Sequence, residues 1–280
     1  MADKLILITG ITGNQGGAVA RHLIGKGFKL RGMTRKPDSD KAKALSKQGV
    51  EIVNGDLNDS ASVRAALKGA WGTFAVQNTW EAGVEGEEKQ GHDFAKAAKE
   101  AGVQHFVYTS VGSAERKTGI PHFENKYRVE NTVRGLKFDS HVILRPVFFM
   151  ENLPSPWFLN GDKLGTAMKP NTKLQMIAVD DIGRIGARAF TDAAKLKGRE
   201  IELAGDAATM TEAADGLSKA LGRKIEFVQY PIEAVRANSN DFALMLEWFE
   251  STGYNANIPA LDKEFGKTTK FNDWLARLGK

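Results

Sequence analysis

The feature that most constrains this chain is a glycine-rich segment at residues 5–20, which reads LILITGITGNQGGAVA. It opens with four consecutive apolar residues, a pattern typical of a strand that is buried on both faces. Gly10, Gly13 and Gly16 follow at three-residue spacing, and apolar residues at helical spacing come next. This succession predicts a phosphate-binding unit, because free N–H groups and the helix dipole attract negative charge at the first helical turn.

The GxxGxxG spacing of this turn differs from the GxGxxG of many NAD dehydrogenases. Its position directly after the first strand favours a dinucleotide site over a glycine-rich connection without a ligand. We expect the contacts to come from the turn and the first helical residues, Gly10, Thr12, Gly13, Asn14, Gln15 and Gly16.

Composition narrows the class of protein. The 280 residues are 42% hydrophobic and 26% charged, which suits one large α/β domain with a small appendage. Cysteine is absent, which excludes a thiol nucleophile, a disulfide framework and a cysteine-ligated metal. We predict no metal site, and the composition fits a cytoplasmic location.

Charge and hydropathy limit the partners that the sequence predicts. The net charge of +5 is spread without a basic run, so no direct nucleic-acid contact is expected. No apolar run approaches the ~20 residues of a membrane helix. Residues 1–4 lead straight into the first strand, so we expect no signal peptide.

Strand and helix patterns alternate over the first half of the chain. This alternation implies parallel pairing through right-handed crossovers, and therefore an α/β fold with a Rossmann-type doubly wound parallel sheet. The predicted strands cover residues 5–8, 29–34, 50–54, 73–77, 104–110 and 140–145. The predicted helices cover residues 38–48, 60–67 with Ser60 as the cap, a segment around 94–101, and 123–134.

This rhythm breaks after Pro146. Residues 147–175 hold three prolines among bulky apolar residues, which predicts a long irregular segment. Asp181 is expected to cap a helix that runs to about Thr191. A strand at residues 200–203 follows, and from about Gly205 the chain is expected to be helix-rich, with one strand near residues 225–229.

We therefore expect two domains. Residues 1–150 form the Rossmann domain, to which residues 176–203 return. Residues 151–175 and 204–280 form a smaller, helix-rich subdomain for substrate or a partner.

The residues at the end of the second strand indicate which dinucleotide the chain prefers. It reads MTRK at residues 33–36, with no acid where NAD-preferring sites hold a carboxylate for the ribose hydroxyls. Arg35 offers planar N–H donors to a 2′-phosphate, which favours NADP(H) over NAD(H). Lys36 is either a second phosphate contact or a solvated loop charge, and Lys41 could reach the same phosphate from the helix.

Six further positions lie where a dinucleotide would rest. Asp56 and Leu57 follow the third strand near the expected adenine, although Asp56 could equally form the turn in GDLND. Gln77 and Asn78 follow the fourth strand and could contact the nicotinamide ribose through backbone groups. Pro146 and Phe148 are expected to flank the nicotinamide ring.

Several motifs together resemble one family. They are TGITGNQGGAV at residues 9–19, MTR at 33–35, GDLND at 55–59, HFENK at 122–126, LRPVFFMENL at 144–153 and VDDIG at 179–183. With these motifs the chain resembles, over essentially its whole length, the NmrA-like branch of the atypical, extended short-chain dehydrogenases/reductases. The resemblance implies a Rossmann domain that binds NADP(H) and a small C-terminal domain that closes over a substrate cleft.

Members of this family divide in function. Some resemble NADPH-dependent reductases of quinones, aromatic dyes or plant phenylpropanoids. Others resemble redox sensors that bind the cofactor without turnover and signal to regulatory protein partners.

Reduction by NADPH needs a proton source beside the hydride donor. The wider superfamily uses Tyr-x-x-x-Lys, but here His122 stands at the tyrosine position while Lys126 is kept. Lys126 shares a helical stripe with Val129 and Val133, so it is expected to face the cleft, where it binds the nicotinamide ribose or acts as an acid. The alternative is a surface lysine with a buried stem.

Two other candidate catalytic groups stay open between function and structure. His122 is either a proton donor or a structural loop histidine. Ser110, at the end of the fifth strand, either polarises a substrate carbonyl or caps a turn.

The aromatic residues near the proline-rich segment allow two interpretations. They line an apolar pocket for a flat substrate, or they are plain core packing. The set comprises Phe148, Phe149, Met150, Trp157, Phe158 and Trp80.

Two functions follow from the sequence. The first is an NADPH-dependent reductase of a small apolar carbonyl, quinone or enone. The second, motivated by the missing tyrosine, is a catalytically silent sensor of NADPH and NADP+ that acts through protein partners.

Overall fold

The computed structural model of the chain describes residues 4–278. The expectation about a signal peptide concerns residues 1–4, of which residues 1–3 lie outside the described residues. Residues 279–280 also lie outside them.

The strands of residues 4–278 are numbered here in chain order. They are β1 (Leu5–Ile8), β2 (Lys29–Thr34), β3 (Glu51–Asn54), β4 (Ala70–Ala75), β5 (His105–Thr109), β6 (Ser140–Pro146), β7 (Phe148–Phe149), β8 (Leu159–Asn160), β9 (Lys163–Thr166), β10 (Lys173–Ile177), β11 (Arg199–Leu203), β12 (Asp206–Thr209) and β13 (Glu226–Gln229).

The helices of the same residues alternate with these strands in the first half and dominate the last third. They are α1 (Asn14–Leu23), α2 (Asp40–Ser46), α3 (Ser60–Leu67), α4 (Thr79–Glu100), α5 (Pro121–Gly135), α6 (Val179–Thr191), α7 (Ala193–Leu196), α8 (Met210–Leu221), α9 (Ile232–Asn238), α10 (Asn240–Ser251), α11 (Ile258–Phe265) and α12 (Phe271–Leu278). Each of these helices is too short or too polar to cross a membrane.

A seven-stranded sheet in the order β11-β6-β5-β4-β1-β2-β3 confirms the predicted Rossmann-type fold. Neighbouring strands from β3 to β6 pair in parallel. After β3 the chain returns to the other side of β1, so the strand order reverses between β1 and β4. In open α/β sheets, ligands bind outside the carboxyl ends of the strands at such a point.

The chain divides into two compact units. The first comprises residues 4–114, His122–Arg145 and Ile182–Ile201, and the second comprises Glu115–Pro121, Pro146–Asp181 and residues 202–278.

Small residues allow the helices of the first unit to pack closely. A side chain at Gly183 of α6 would place its Cβ 2.6 Å from the backbone of Ala18 in α1. A Cβ at Gly91 of α4 would lie 2.6 Å from the Val129 side chain of α5. The glycine of VDDIG therefore has a packing role.

A buried ion-pair cluster lies between β6, β11 and α5. Arg145 donates from Nε and Nη2 to both carboxylate oxygens of Glu130, at 2.9 and 2.7 Å, and from Nη2 to Glu200 at 2.7 Å. Glu130 is fully buried, so this charge depends on its arginine partners. The arginine of LRPVFFMENL is thus a structural residue of the first unit.

The second unit contradicts the prediction of a long irregular segment at residues 147–175. This stretch contributes strands to two three-stranded sheets, ordered β12-β10-β7 and β13-β9-β8. Strands of two to five residues between prolines are too short to show the alternation by which a strand is recognised in a sequence. For the same reason β12 was not predicted.

Both predicted helix caps are wrong. Asp59, rather than Ser60, caps α3, because the Asp59 carboxylate accepts from the Ala61 N–H. At the start of α6 the Val179 N–H donates to Glu151 at 3.0 Å, whereas the Asp181 carboxylate accepts from the backbone of Thr269. The α6 cap therefore comes from a residue 28 positions away, which local patterns do not reveal.

Candidate functional site

The glycine turn joins β1 to α1 with almost no room for side chains. Gly10 has a φ of +58°, and a Cβ there would lie 2.7 Å from the Val76 side chain. A Cβ at Gly16 would lie 2.5 Å from the Gly10 carbonyl oxygen. Backbone therefore packs directly on backbone, as a phosphate-binding turn requires.

The first N–H groups of α1 have no side-chain cap from the N-cap residue. Gly13 is the N-cap and offers no side chain to accept them. The Gly13 N–H closes the turn by donating to the Gly10 carbonyl at 2.9 Å. Because uncapped N–H groups at a helix start attract anions, Asn14 and Gln15 can bind a phosphate through their backbones. The Gln15 side chain is engaged elsewhere, since its Oε1 accepts from Thr109 at 2.6 Å.

Thr9 fixes the crevice between β1 and β4. Its hydroxyl donates to the Val76 carbonyl at 3.0 Å and accepts from the Val76 N–H at 2.8 Å. The turn is therefore tied to the residues that follow β4, one of which is Gln77.

Gln77 and Ser110 are buried polar side chains without a hydrogen-bond partner among the described residues. Gln77 follows β4 and is 6% exposed, while Ser110 follows β5 and is 4% exposed. Leaving such groups unpaired costs about 1–3 kcal/mol each. A bound ligand or an ordered water molecule can satisfy buried polar groups in this condition. β4 and β5 are neighbours in the sheet, and both residues lie at its carboxyl edge.

Arg35 lies one residue beyond β2 and is engaged in an ion pair. Its Nη2 donates to Oε2 of Glu81, and both side chains are more than half exposed. Lys36 takes part in the following turn through its backbone, where its carbonyl accepts from the Ser39 hydroxyl. Lys41 is exposed on α2.

Of the two interpretations left open for Asp56, the structure displays the turn. The Asp56 carboxylate accepts from the Asn58 N–H at 2.9 Å, and its own N–H donates to Ser62. Leu57 packs against the apolar core of the first unit. Asn78 caps α4 by accepting from the Trp80 N–H at 3.1 Å.

Lys126 faces inward, as its helical stripe predicts, and pairs with a buried carboxylate. Its Nζ donates to Oε1 of Glu87 at 2.5 Å, and the Glu87 side chain is 1% exposed. The Thr79 hydroxyl and the Asn125 amide donate to the other Glu87 oxygen. Lys126 is therefore not a free ammonium group but one half of a buried ion pair.

The balance of burial and charge sets the ionisation of Glu87. Burial raises the pKa of this carboxyl, but the Lys126 charge and the hydrogen bonds outweigh burial, so the pKa falls below its ordinary 4.5. A pKa that is lower in the folded chain contributes stability above about pH 4.5, and this stability is lost as the pH falls through the folded value.

Sequence reasoning did not single out Glu87. A signal was present, because Glu87, Gly91, Phe94 and Ala98 share one face of α4 and are all buried. A carboxylate on an otherwise apolar helix stripe indicates a buried partner.

His122 lies in the first turn of α5 in an aromatic environment. Its ring centroid is 5.4 Å from that of Trp80 and 4.8 Å from that of Phe123. The histidine is 6% exposed, whereas Trp80 is 53% exposed. An imidazole with apolar faces can contact an apolar ligand and still exchange a proton.

The remaining aromatic candidates lie in the second unit. Phe148, predicted to flank the nicotinamide with Pro146, packs edge-on against Phe158 at 5.3 Å and against Phe249 at 6.4 Å. Met150 is buried, whereas Trp157 is 72% exposed. Phe149 is half-buried. Within this unit Phe148 and Phe158 belong to an aromatic core.

The sheet order and the glycine turn at the β1–β4 crevice define a Rossmann-type protein with a glycine-rich turn after its first strand. The chain belongs to the NmrA-like family, whose model matches residues 2–274. A relative is the NmrA-like family domain-containing oxidoreductase malD of Malbranchea aurantiaca. It is 30% identical over 254 residues, which cover 81% of this chain and 75% of malD.

Solved structures share the fold. The NADPH-dependent quinone oxidoreductase QOR2 of Escherichia coli matches with a TM-score of 0.78 and 25% identity, covering 98% of this chain and 100% of that one. NmrA, a negative transcriptional regulator solved in complex with NADP, matches with a TM-score of 0.75 and 23% identity, covering 99% and 91%.

We expect Gly16→Ala to destabilise the protein by about 2 kcal/mol, because its Cβ would overlap the Gly10 carbonyl, which cannot move without the turn. Gly135→Ala is the matched control, since Gly135 ends α5 with open space around it. This control should be neutral or stabilising by up to about 1 kcal/mol. Denaturant unfolding measures both changes, and a Gly16→Ala variant as stable as the native protein would contradict the packing.

We expect Lys126→Met to destabilise by about 3 kcal/mol, because it leaves the Glu87 charge buried without its counter-ion. Adding Glu87→Gln should recover more than half of this loss. Lys89→Met is the control, since Lys89 forms an exposed pair with Asp93 and should change stability by less than about 0.5 kcal/mol. If the double variant is no more stable than Lys126→Met alone, the two charges are not coupled.

Proposed function

We propose that this chain is an NADP(H)-dependent oxidoreductase, an atypical short-chain dehydrogenase/reductase that reduces a small apolar carbonyl, quinone or enone. The observation that carries the proposal is the carboxyl edge of the sheet, where the glycine turn lies close to buried, unpartnered Gln77 and Ser110. A dinucleotide would satisfy both features at once.

The residues at this edge fit the parts of NADP(H). The N–H groups of Asn14 and Gln15 suit the pyrophosphate, and Arg35 suits the 2′-phosphate. The Gln77 side chain or backbone, with Asn78 beside it, suits the nicotinamide ribose. The E. coli relative bears the name of an NADPH-dependent enzyme, and NmrA was solved with NADP.

When bound, NADPH supplies a hydride, and the protein must supply a proton and hold the acceptor oxygen. Ser110 can donate its hydroxyl hydrogen to that oxygen, because no protein group among the described residues uses the Ser110 Oγ. His122 is the proton donor in this proposal, since its aromatic environment admits a flat apolar acceptor.

Lys126 has a positioning role in this proposal rather than that of an acid. Loss of its proton would leave the buried Glu87 carboxylate without a counter-ion, which is costly in a protein interior. Lys126, paired with Glu87, can donate a hydrogen bond to a ribose hydroxyl and connect α5 to α4.

A second function is favoured by one observation. The tyrosine of Tyr-x-x-x-Lys is replaced by His122, and Lys126 is committed to Glu87. A protein without a competent acid would not reduce a substrate but would sense which form of the cofactor is bound. NADPH and NADP+ would then have different consequences for protein partners, because each shifts the conformation through its differential affinity for the alternative states.

The test is NADPH oxidation across benzoquinones, naphthoquinones, enones and aromatic ketones. We expect turnover with at least one class, and a kcat about 10²-fold lower in His122→Gln with unchanged NADP+ affinity. His22→Gln, the same change on α1, serves as the control and should keep full activity.

Two results would contradict parts of this proposal. Activity that is unchanged in His122→Gln would contradict the assignment of His122 as the proton donor but not the reductase. Absence of turnover across the panel, together with NADPH and NADP+ affinities that differ in calorimetry, would favour the sensor instead.

A further inference from the structure

Arg35, the residue proposed to bind the 2′-phosphate, already forms an ion pair with Glu81 of this chain. Arg35 Nη2 donates to Oε2 of Glu81, and the Asn78 amide donates to Oε1 of the same residue at 3.3 Å. Glu81 is therefore directed at Arg35 by a second, neutral partner rather than meeting it by chance.

Local structure places Glu81 for this contact. Residues 79–82 form the first turn of α4, capped by Asn78 and ended by Gly83, whose φ of 74° and ψ of 168° are not helical. The Thr79 hydroxyl is anchored to the buried Glu87 carboxylate. This short turn thus projects one carboxylate toward the loop after β2 from a fixed base.

Glu81 and a 2′-phosphate require the same donors. A guanidinium offers paired N–H groups in one plane, and a carboxylate and a phosphate oxygen pair both take them up. Glu81 already takes up an Nη2 hydrogen of Arg35, which leaves fewer paired N–H groups for a phosphate, and the two anions repel each other beside one guanidinium. Since the Glu81 and Arg35 side chains are more than half exposed, the pair is weak enough to exchange.

We propose that Glu81 is a specificity-determining residue that competes with the 2′-phosphate for Arg35. Glu81 lowers the affinity for NADP(H), and it therefore reduces the ratio of the affinity for NADP(H) to the affinity for NAD(H). This inference rests on the proposed function, because it requires Arg35 to bind the 2′-phosphate.

The test is calorimetric titration of NADP+ and NAD+ into the full chain. We expect Glu81→Gln to tighten NADP+ binding about 3- to 10-fold at low salt, the range of an exposed ion pair plus one screened repulsion. NAD+ binding should change by less than about 2-fold, and the gain for NADP+ should shrink at high salt. Glu81→Ala should reproduce the gain.

These controls distinguish a failure of the competition by Glu81 from a failure of the proposed 2′-phosphate contact at Arg35. Glu85→Gln removes the same charge from an exposed site four residues further along the chain, beyond the break at Gly83, and should leave NADP+ affinity within about 2-fold. Arg35→Ala should weaken NADP+ binding, and Glu81→Gln added to it should give little further gain.

Each other outcome overturns a defined claim. If Arg35→Ala weakens NADP+ binding but Glu81→Gln does not tighten it, competition by Glu81 is wrong and the phosphate assignment stands. Equal gains for NAD+ and NADP+, or an equal gain in Glu85→Gln, would also overturn the competition. If Arg35→Ala leaves NADP+ affinity unchanged, the 2′-phosphate assignment fails and the competition fails with it.

Discussion

The close approach of backbone to backbone at Gly10 and Gly16 is the constraint on which the rest of the first unit depends. The Gly10 carbonyl lies 2.5 Å from where a Cβ at position 16 would be, so α1 can start beside the end of β1 only without side chains there. This contact lets α1 begin beside the point where the strand order reverses between β1 and β4. The candidate site therefore follows from backbone geometry before any side chain contributes.

Helix α4 brings two ion pairs of opposite character to this site. Glu81 binds Arg35 at an exposed position, where solvent weakens the pair and an incoming anion can displace it. Glu87, six residues later, binds Lys126 in the interior, where removing either charge is costly. Helix α4 thus carries an exposed ion pair that a ligand can displace, near the loop after β2, and a buried structural ion pair with α5.

The sequence predicts the regular part of the fold because its patterns are local. An apolar run predicts β1, and β2 and α3 are also predicted with the observed bounds, although the predicted cap of α3 is wrong. Residues 73–77 were predicted for β4, which instead covers Ala70–Ala75, because Gly72 has the pattern of a turn although it is buried in the strand. The short strands β7 to β10 carry too few residues for a period to show.

What the sequence does not predict are partners that are distant along the chain. Glu87 and Lys126 are 39 residues apart, Arg35 and Glu81 are 46, and Glu151 caps a helix 28 residues further on. No local spacing encodes these contacts, because the fold creates them. The orphaned groups of Gln77 and Ser110 likewise become visible only when burial is known.

The central claim, that the glycine turn binds a dinucleotide through its backbone, is tested most directly by a crystal structure of this protein grown with saturating NADP+. The account predicts pyrophosphate oxygens within hydrogen-bond distance of the N–H groups of Asn14 and Gln15, and the 2′-phosphate within hydrogen-bond distance of the Arg35 guanidinium. A dinucleotide bound away from this turn, or a turn left without one at saturating NADP+, would contradict it.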